Sequence, residues 1–218
     1  MKLLLISASL SEIREAYKLG VFAGTASNPA VIARSQTTAQ SLVKDYVASF
    51  KAPIFVQVTS LETSGMVEEG RRLASLAPNQ VIIKIPATES GVRAIHELSQ
   101  SGVPTAATAV FNPSEALLGA LAGAAYVAPY YARIGDSTHD ADEVLSRILD
   151  LSHIHELGTK VIAASVRSQD NLLAAYSAGA HYSAVKWSVV QEAFEDGRCR
   201  RAAEQFFEQA QSHAQEHS

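Results

Sequence analysis

Eight times along this chain a short apolar run is followed by a longer amphipathic one, and that alternation restricts the fold more than any other feature. The runs predict strands at 2–7, 21–26, 53–59, 81–86, 104–111, 125–130, 160–165 and 181–186. Helices are expected at 10–18, from Pro29 to about 50, and at 64–76, 90–99, 113–122, 141–157 and 169–177, with a last helical region at 189–214. Ser9 or Ser11 caps the first of these, and Asn28 followed by Pro29 is a cap and proline start for the second. Strands that each lead into a helix demand right-handed parallel crossovers. Eight such units point to a closed (β/α)8 barrel of the TIM type with an additional C-terminal helical region. The alternative, a doubly wound open sheet, usually carries a glycine-rich loop after an early strand; the turn Ser7-Ala8-Ser9-Leu10-Ser11 has no glycine. The chain has 218 residues, 47% of them hydrophobic, and no linker rich in Pro, Gly or Ser, so 1–218 reads as one domain.

Charge narrows the partner. A formal net charge of −4 with both signs scattered marks neither a nucleic-acid surface nor a membrane surface, which leaves a small molecule. No run approaches the roughly 20 apolar residues of a membrane span, and Glu12, Arg14 and Glu15 interrupt the apolar start before it resembles a leader. Cys199, the single cysteine, forms no intrachain disulfide and suits a reducing, cytoplasmic setting.

The run Val81-Ile82-Ile83-Lys84-Ile85-Pro86 places one lysine inside a buried strand. Burying an ammonium is unfavourable, so such a lysine either reaches solvent or a carboxylate, or lowers its pKa until it sits as a free amine. A free amine near neutral pH is the nucleophile of Schiff-base chemistry. Working faces of (β/α)8 barrels lie at the C-terminal strand ends, and there the chain places Gln57, Thr59, Lys84, Thr108, Tyr130, Arg133, Ser165 and Lys186. Alternation puts Lys84 on the side of Ile82 and Gln57 on the side of Phe55. If those sides face inward, Gln57, Lys84, Thr108 and Tyr130 line one pocket. The acidic stretch 136–143 lacks a recognised ligand spacing and reads as a solvated loop and helix cap.

Gly24-Thr25-Ala26-Ser27-Asn28-Pro29, Lys84-Ile85-Pro86, Thr108-Ala109-Val110-Phe111, the run from Ala122 to Tyr130 with Arg133-Ile134, and Ala163-Ala164-Ser165 together resemble the small transaldolase and fructose-6-phosphate aldolase family. The resemblance extends from Met1 to about Ala180. It implies a class I aldolase barrel in which Lys84 forms a Schiff base with a ketose, without metal or other cofactor. Typical transaldolases place an aspartate at the end of strand one and a glutamate in strand three; here Ile6 and Gln57 stand there, and neither exchanges a proton. The aldolase branch has glutamine in strand three and a tyrosine ending strand six, the two sharing a water, which matches Gln57 and Tyr130.

The resemblance further implies that Arg133 and Ser165 hold the substrate phosphate, that Asn28 orients hydroxyls or the imine, and that Thr108 is a wall or water-holding residue. Lys186 stands where the family usually continues into a Thr-hydrophobic-Pro segment. It either adds charge near the anion, depresses the Lys84 pKa, or leaves the barrel for solvent with Trp187 packed beneath the last helix. The last region, with Phe194, Phe206 and Phe207, either closes the barrel floor or docks on a neighbour, and family members are commonly ring-like homo-oligomers. The expected reaction is reversible cleavage to dihydroxyacetone or hydroxyacetone and a phosphorylated aldehyde such as glyceraldehyde 3-phosphate. Transfer of a dihydroxyacetone unit by a transaldolase is the first alternative, and a non-catalytic phosphosugar-binding barrel the second.

Overall fold

In the computed structural model, which describes residues 2–137 and 140–216, strand and helix alternate along the chain. The elements are β1 (Lys2–Ile6), α1 (Leu10–Tyr17), β2 (Phe22–Ala26), α2 (Pro29–Arg34), α3 (Ala39–Ser49), β3 (Ile54–Gln57), α4 (Thr63–Ala74), β4 (Val81–Pro86), α5 (Glu89–Gln100) and β5 (Thr105–Val110). They continue as α6 (Pro113–Leu121), β6 (Tyr126–Pro129), α7 (Tyr131–Gly135), α8 (Ala141–Ile154), β7 (Lys160–Val166), α9 (Gln169–Ser177), β8 (Tyr182–Val185), α10 (Trp187–Glu192) and α11 (Arg198–Glu216). The strands pair in chain order, all parallel, and β8 closes on β1, as the alternation predicted. No helix among the described residues is long and apolar enough to cross a membrane.

Period-two alternation sorts each strand between two cores. Along β4, Ile83 and Ile85 face outward into the layer between sheet and helices, with Ile95 and Leu98 of α5. Ile82 faces inward, in a second cluster with Leu4, Phe55, Ala106, Ala128, Ile162 and Ala184. Lys84, two residues beyond Ile82, therefore shares the inward side. At the N-terminal strand ends the interior is closed by aromatic rings: Tyr126 meets Phe55 edge-on at 4.9 Å and Tyr182 at 5.9 Å.

Local signals place the helix starts. Ser9, not Ser11, caps α1, and Asn28, Thr88, Asn112, Asp140 and Ser168 cap α2, α5, α6, α8 and α9, each accepting from a first-turn N–H. Gly91 lets α5 return tightly onto β4, since a Cβ there would overlap the Pro86 carbonyl. Two strands depart from regular pleating without a glycine. Ala109 in β5 and Ser165 in β7 have φ of 55° and 59°, and the pairing register shifts beside each.

Three expectations change. Residues 131–135 form the short helix α7 where a loop was expected, so Arg133 sits on a helix. The final region is two helices, and it does not close the barrel floor: Phe206 and Phe207 on α11 are 70% and 64% exposed. Trp187 opens α10 and packs on Phe22 of β2 with ring centroids 6.1 Å apart, a partner not expected from the sequence.

Candidate active site

A cavity of about 260 Å³ opens at the C-terminal ends of the strands. Ile6 of β1, Ala26 of β2, Lys84 of β4, Ala164 to Val166 of β7 and Ala184 of β8 reach it from the barrel. Residues just beyond the strands supply Ser27, Asn28, Tyr130, Arg167 and Lys186, and the helices add Val31, Arg34 and Arg133. Among the described residues no aspartate or glutamate lines it. An interior wall without carboxylates but with five cationic side chains is a receptor for an anion.

Lys84 lies at the centre of this arrangement. Its Nζ donates to the Ser27 carbonyl at 3.0 Å and has no carboxylate partner among the described residues. The side chain keeps some contact with the cavity, yet protein surrounds the amine closely enough that desolvation lowers its pKa to about 8. Burial is the whole cause. Lys186 is exposed and contributes nothing to the shift, so the expectation that a second amine depresses Lys84 is not met. At pH 7.5 a pKa near 8 leaves roughly a quarter of the amines unprotonated, against about one in a thousand at 10.5.

Tyr130 continues β6 through a bridge to Ala164, and its amide donates to the Val110 carbonyl at 2.9 Å. Its ring is flanked by Phe111 edge-on at 5.6 Å and by the Arg133 guanidinium 4.9 Å from the ring centroid. Asn28 does two things at once. Its Oδ1 accepts from the Val31 amide at 2.9 Å as the helix cap, and its place in the cavity wall leaves the amide nitrogen able to donate to a ligand.

The sequence placed eight residues at this site, and the cavity brings six together: Asn28, Lys84, Tyr130, Arg133, Ser165 and Lys186. Gln57 and Thr108 do not line it. Gln57 pairs in register with Lys84 on the neighbouring strand, and its Oε1 is buried without a hydrogen-bond partner. Thr108 is fully buried opposite Pro86, its Oγ1 likewise unpartnered. Buried polar atoms normally find partners; besides these two, the hydroxyl of Ser27, which does line the cavity, and those of Thr105 and Ser183 are also without one among the described residues.

Two cationic wall residues escaped the sequence reading. Arg167 stands one residue beyond β7 and bonds Asp136 at 2.8 Å; the expected strand end at 165 hid its position. Arg34 ends α2, where a lone arginine reads as a partner of the helix dipole. In the acidic stretch, Asp140 is indeed a cap, Asp136 is the Arg167 partner, and Thr138 and His139 lie outside the described residues.

Comparison with known proteins agrees with the architecture. Residues 5–218 match the family described as Transaldolase/Fructose-6-phosphate aldolase. A protein of Halalkalibacterium halodurans named "Probable transaldolase" is 34% identical over 206 residues, which cover 94% of this chain and 97% of that protein. Proteins of the same name from Clostridium botulinum and Desulforudis audaxviator are each 40% identical, over 87% of both chains and over 88% and 89% respectively.

Proposed function

The chain belongs to the transaldolase and fructose-6-phosphate aldolase family, and is thus a class I aldolase-type enzyme; from that premise we propose that it cleaves and forms carbon–carbon bonds in sugar phosphates through Lys84 and releases the ketone fragment free. One observation carries this reading: a desolvated amine at the mouth of the barrel, with a phenol in the same wall and, among the described residues, no carboxylate to serve a transfer reaction. Residues 1–218 act in it as one barrel domain.

The Lys84 amine adds to the C2 carbonyl of a ketose and loses water, giving an iminium that draws electrons from the C3–C4 bond. As that bond breaks its electron pair becomes the enamine, and the C4 hydroxyl proton must leave. A water hydrogen-bonded to the Tyr130 hydroxyl and the Gln57 carboxamide takes it, which accounts for the orphaned Gln57 Oε1. Arg133 and Ser165, joined by Arg167, hold the phosphate of the departing aldehyde with charge-assisted hydrogen bonds. Asn28 donates to the donor hydroxyls. Protonation of the enamine and hydrolysis return the amine and free dihydroxyacetone.

The names of the relatives favour transfer of the dihydroxyacetone unit to a second aldehyde. Ile6 and Gln57 favour release, because neither residue supplies the proton exchange that the transaldolase arrangement uses. Incubation with fructose 6-phosphate, with and without erythrose 4-phosphate, separates the two. Release predicts free dihydroxyacetone in both reactions; a seven-carbon product with no free dihydroxyacetone contradicts it.

A further inference from the structure

The cavity carries more positive charge than one phosphate requires. Arg133, Ser165 and Arg167 gather beyond β6 and β7, whereas Lys186 follows β8 and Arg34 ends α2, on the side where β1 lies between β8 and β2. These two cations stand on the lip between the cavity and an adjoining recess, for Ile6, Val31, Arg34 and Lys186 line both. Among the described residues neither forms a salt bridge, in contrast to Arg167 on Asp136. Arg34 donates its Nε to the Ala30 carbonyl at 3.1 Å, and among the described residues no other hydrogen bond occupies its guanidinium. Glu12, the one carboxylate lining the recess among the described residues, accepts from the Ser7 hydroxyl at 2.5 Å and is not within ion-pair distance of either cation. Between them β1 presents Ile6, which offers a hydroxyl nothing.

We propose that Arg34 and Lys186 bind an anionic group attached to carbon 1 of the ketose, a phosphate or a carboxylate, so that the substrate is charged at both ends. The inference rests on the Lys84 imine reading and deepens it. An imine pins C2 to β4, and a phosphate held beyond β6 and β7 fixes the direction of C3 to C6. The remaining substituent on C2 has the β8–β1–β2 side left to it. A neutral hydroxymethyl group there meets Ile6 and loses a water partner without replacement, but an anion reaches past Ile6 to two cations that form no ion pair among the described residues.

The chemistry balances for either anion. The amine adds to C2 with loss of water, C3–C4 breaks with its electrons in the enamine, and the C4 hydroxyl gives up its proton. Protonation at C3 and hydrolysis then complete the turnover. A C1 phosphate leaves dihydroxyacetone phosphate. A C1 carboxylate on a 3-deoxy chain leaves pyruvate. The aldehyde phosphate is the same in both.

Three substrates separate these cases: fructose 6-phosphate, fructose 1,6-bisphosphate and 2-keto-3-deoxy-6-phosphogluconate. Release of the aldehyde phosphate is followed for each, and borohydride trapping with mass spectrometry reads the Lys84 adduct. At least one C1-anionic substrate is expected to exceed fructose 6-phosphate in kcat/KM by about tenfold or more, the worth of one charge-assisted contact, and which one does so identifies the anion. That advantage is expected to shrink about tenfold in Arg34→Gln and in Lys186→Gln, mainly through KM. Both side chains are exposed, so the folded state should survive either change. A Lys84 adduct with fructose 6-phosphate, no preference for a C1 anion and equal losses on all substrates in the variants would overturn the subsite and leave the aldolase reading standing. No Lys84 adduct with any of the three would overturn both.

Discussion

The two ends of the barrel interior are built from the same strands, two residues apart, yet they are opposite kinds of matter. Leu4, Phe55, Ile82 and Ala106 pack into a closed apolar layer above the ring of Tyr126 and Tyr182. Their successors Ile6, Gln57, Lys84 and Thr108 carry an amine and two unpartnered polar atoms. The separation along each strand is about 7 Å. Over that distance the interior passes from groups whose burial favours folding to groups whose burial opposes it. The lower layer stabilises the upper one, and the upper layer holds a weakened base that open solvent would not permit.

Substitutions on the two layers should therefore divide cleanly between activity and stability. The largest effect is expected from Lys84→Met, which should abolish the borohydride-trapped adduct and reduce turnover by roughly 10⁴-fold or more, while the melting temperature rises because no ammonium needs burying. A lower melting temperature would show that the amine contributes to folding and erase the contrast between layers. Next is Phe55→Ala. It should lower the unfolding free energy by about 3–5 kcal/mol in urea titrations, with turnover per folded molecule changing far less than in Lys84→Met. Tyr130→Phe comes third: adduct formation at Lys84 persists and bond cleavage slows about 100-fold. Parallel loss of both steps would contradict the role given to the phenol.

The smallest effect is in pH dependence. Folded Lys84 has a pKa near 8 against 10.5 for the free side chain. Between those values the unfolded chain holds a proton that the folded one has lost, so stability contributed by this group rises with pH across the window. Its burial penalty is full below pH 8 and gone above 10.5. The stability advantage of Lys84→Met over the native chain should shrink across that window by on the order of 1–3 kcal/mol, the span of the shift discounted for partial exposure. A constant difference would mean that Lys84 titrates alike in both states.

What could be read from the chain follows from how local each signal is. β4 lies at 81–86 as its apolar run and closing proline indicated, and Asn28-Pro29 is the helix start it spelled. Alternation put Lys84 on the side of Ile82, and the closed ring makes that side the inner one. Strand ends shifted by a residue or two because ladder pairing, not composition, ends a strand, and that shift concealed Arg167. The turns at Ala109 and Ser165 had no signal, since neither residue is one that a positive φ favours. Arg34 was beyond reach for another reason: only the closed ring brings the end of α2 to the same cavity as β8. The division of the last helical region into α10 and α11 was missed because Gly197, with φ of 70°, sits in a charged run that reads as continuous helix.

The account turns on the protonation of one amine, which is directly observable. Heteronuclear NMR of lysine labelled with ¹³C at the ε position, with Lys84 assigned by comparison with Lys84→Met, follows its titration apart from the other lysines. A midpoint near pH 8 is the expected result. A midpoint at the ordinary value near 10.5 would mean that the amine is solvated and protonated at neutral pH, and the proposed nucleophile would be lost with it.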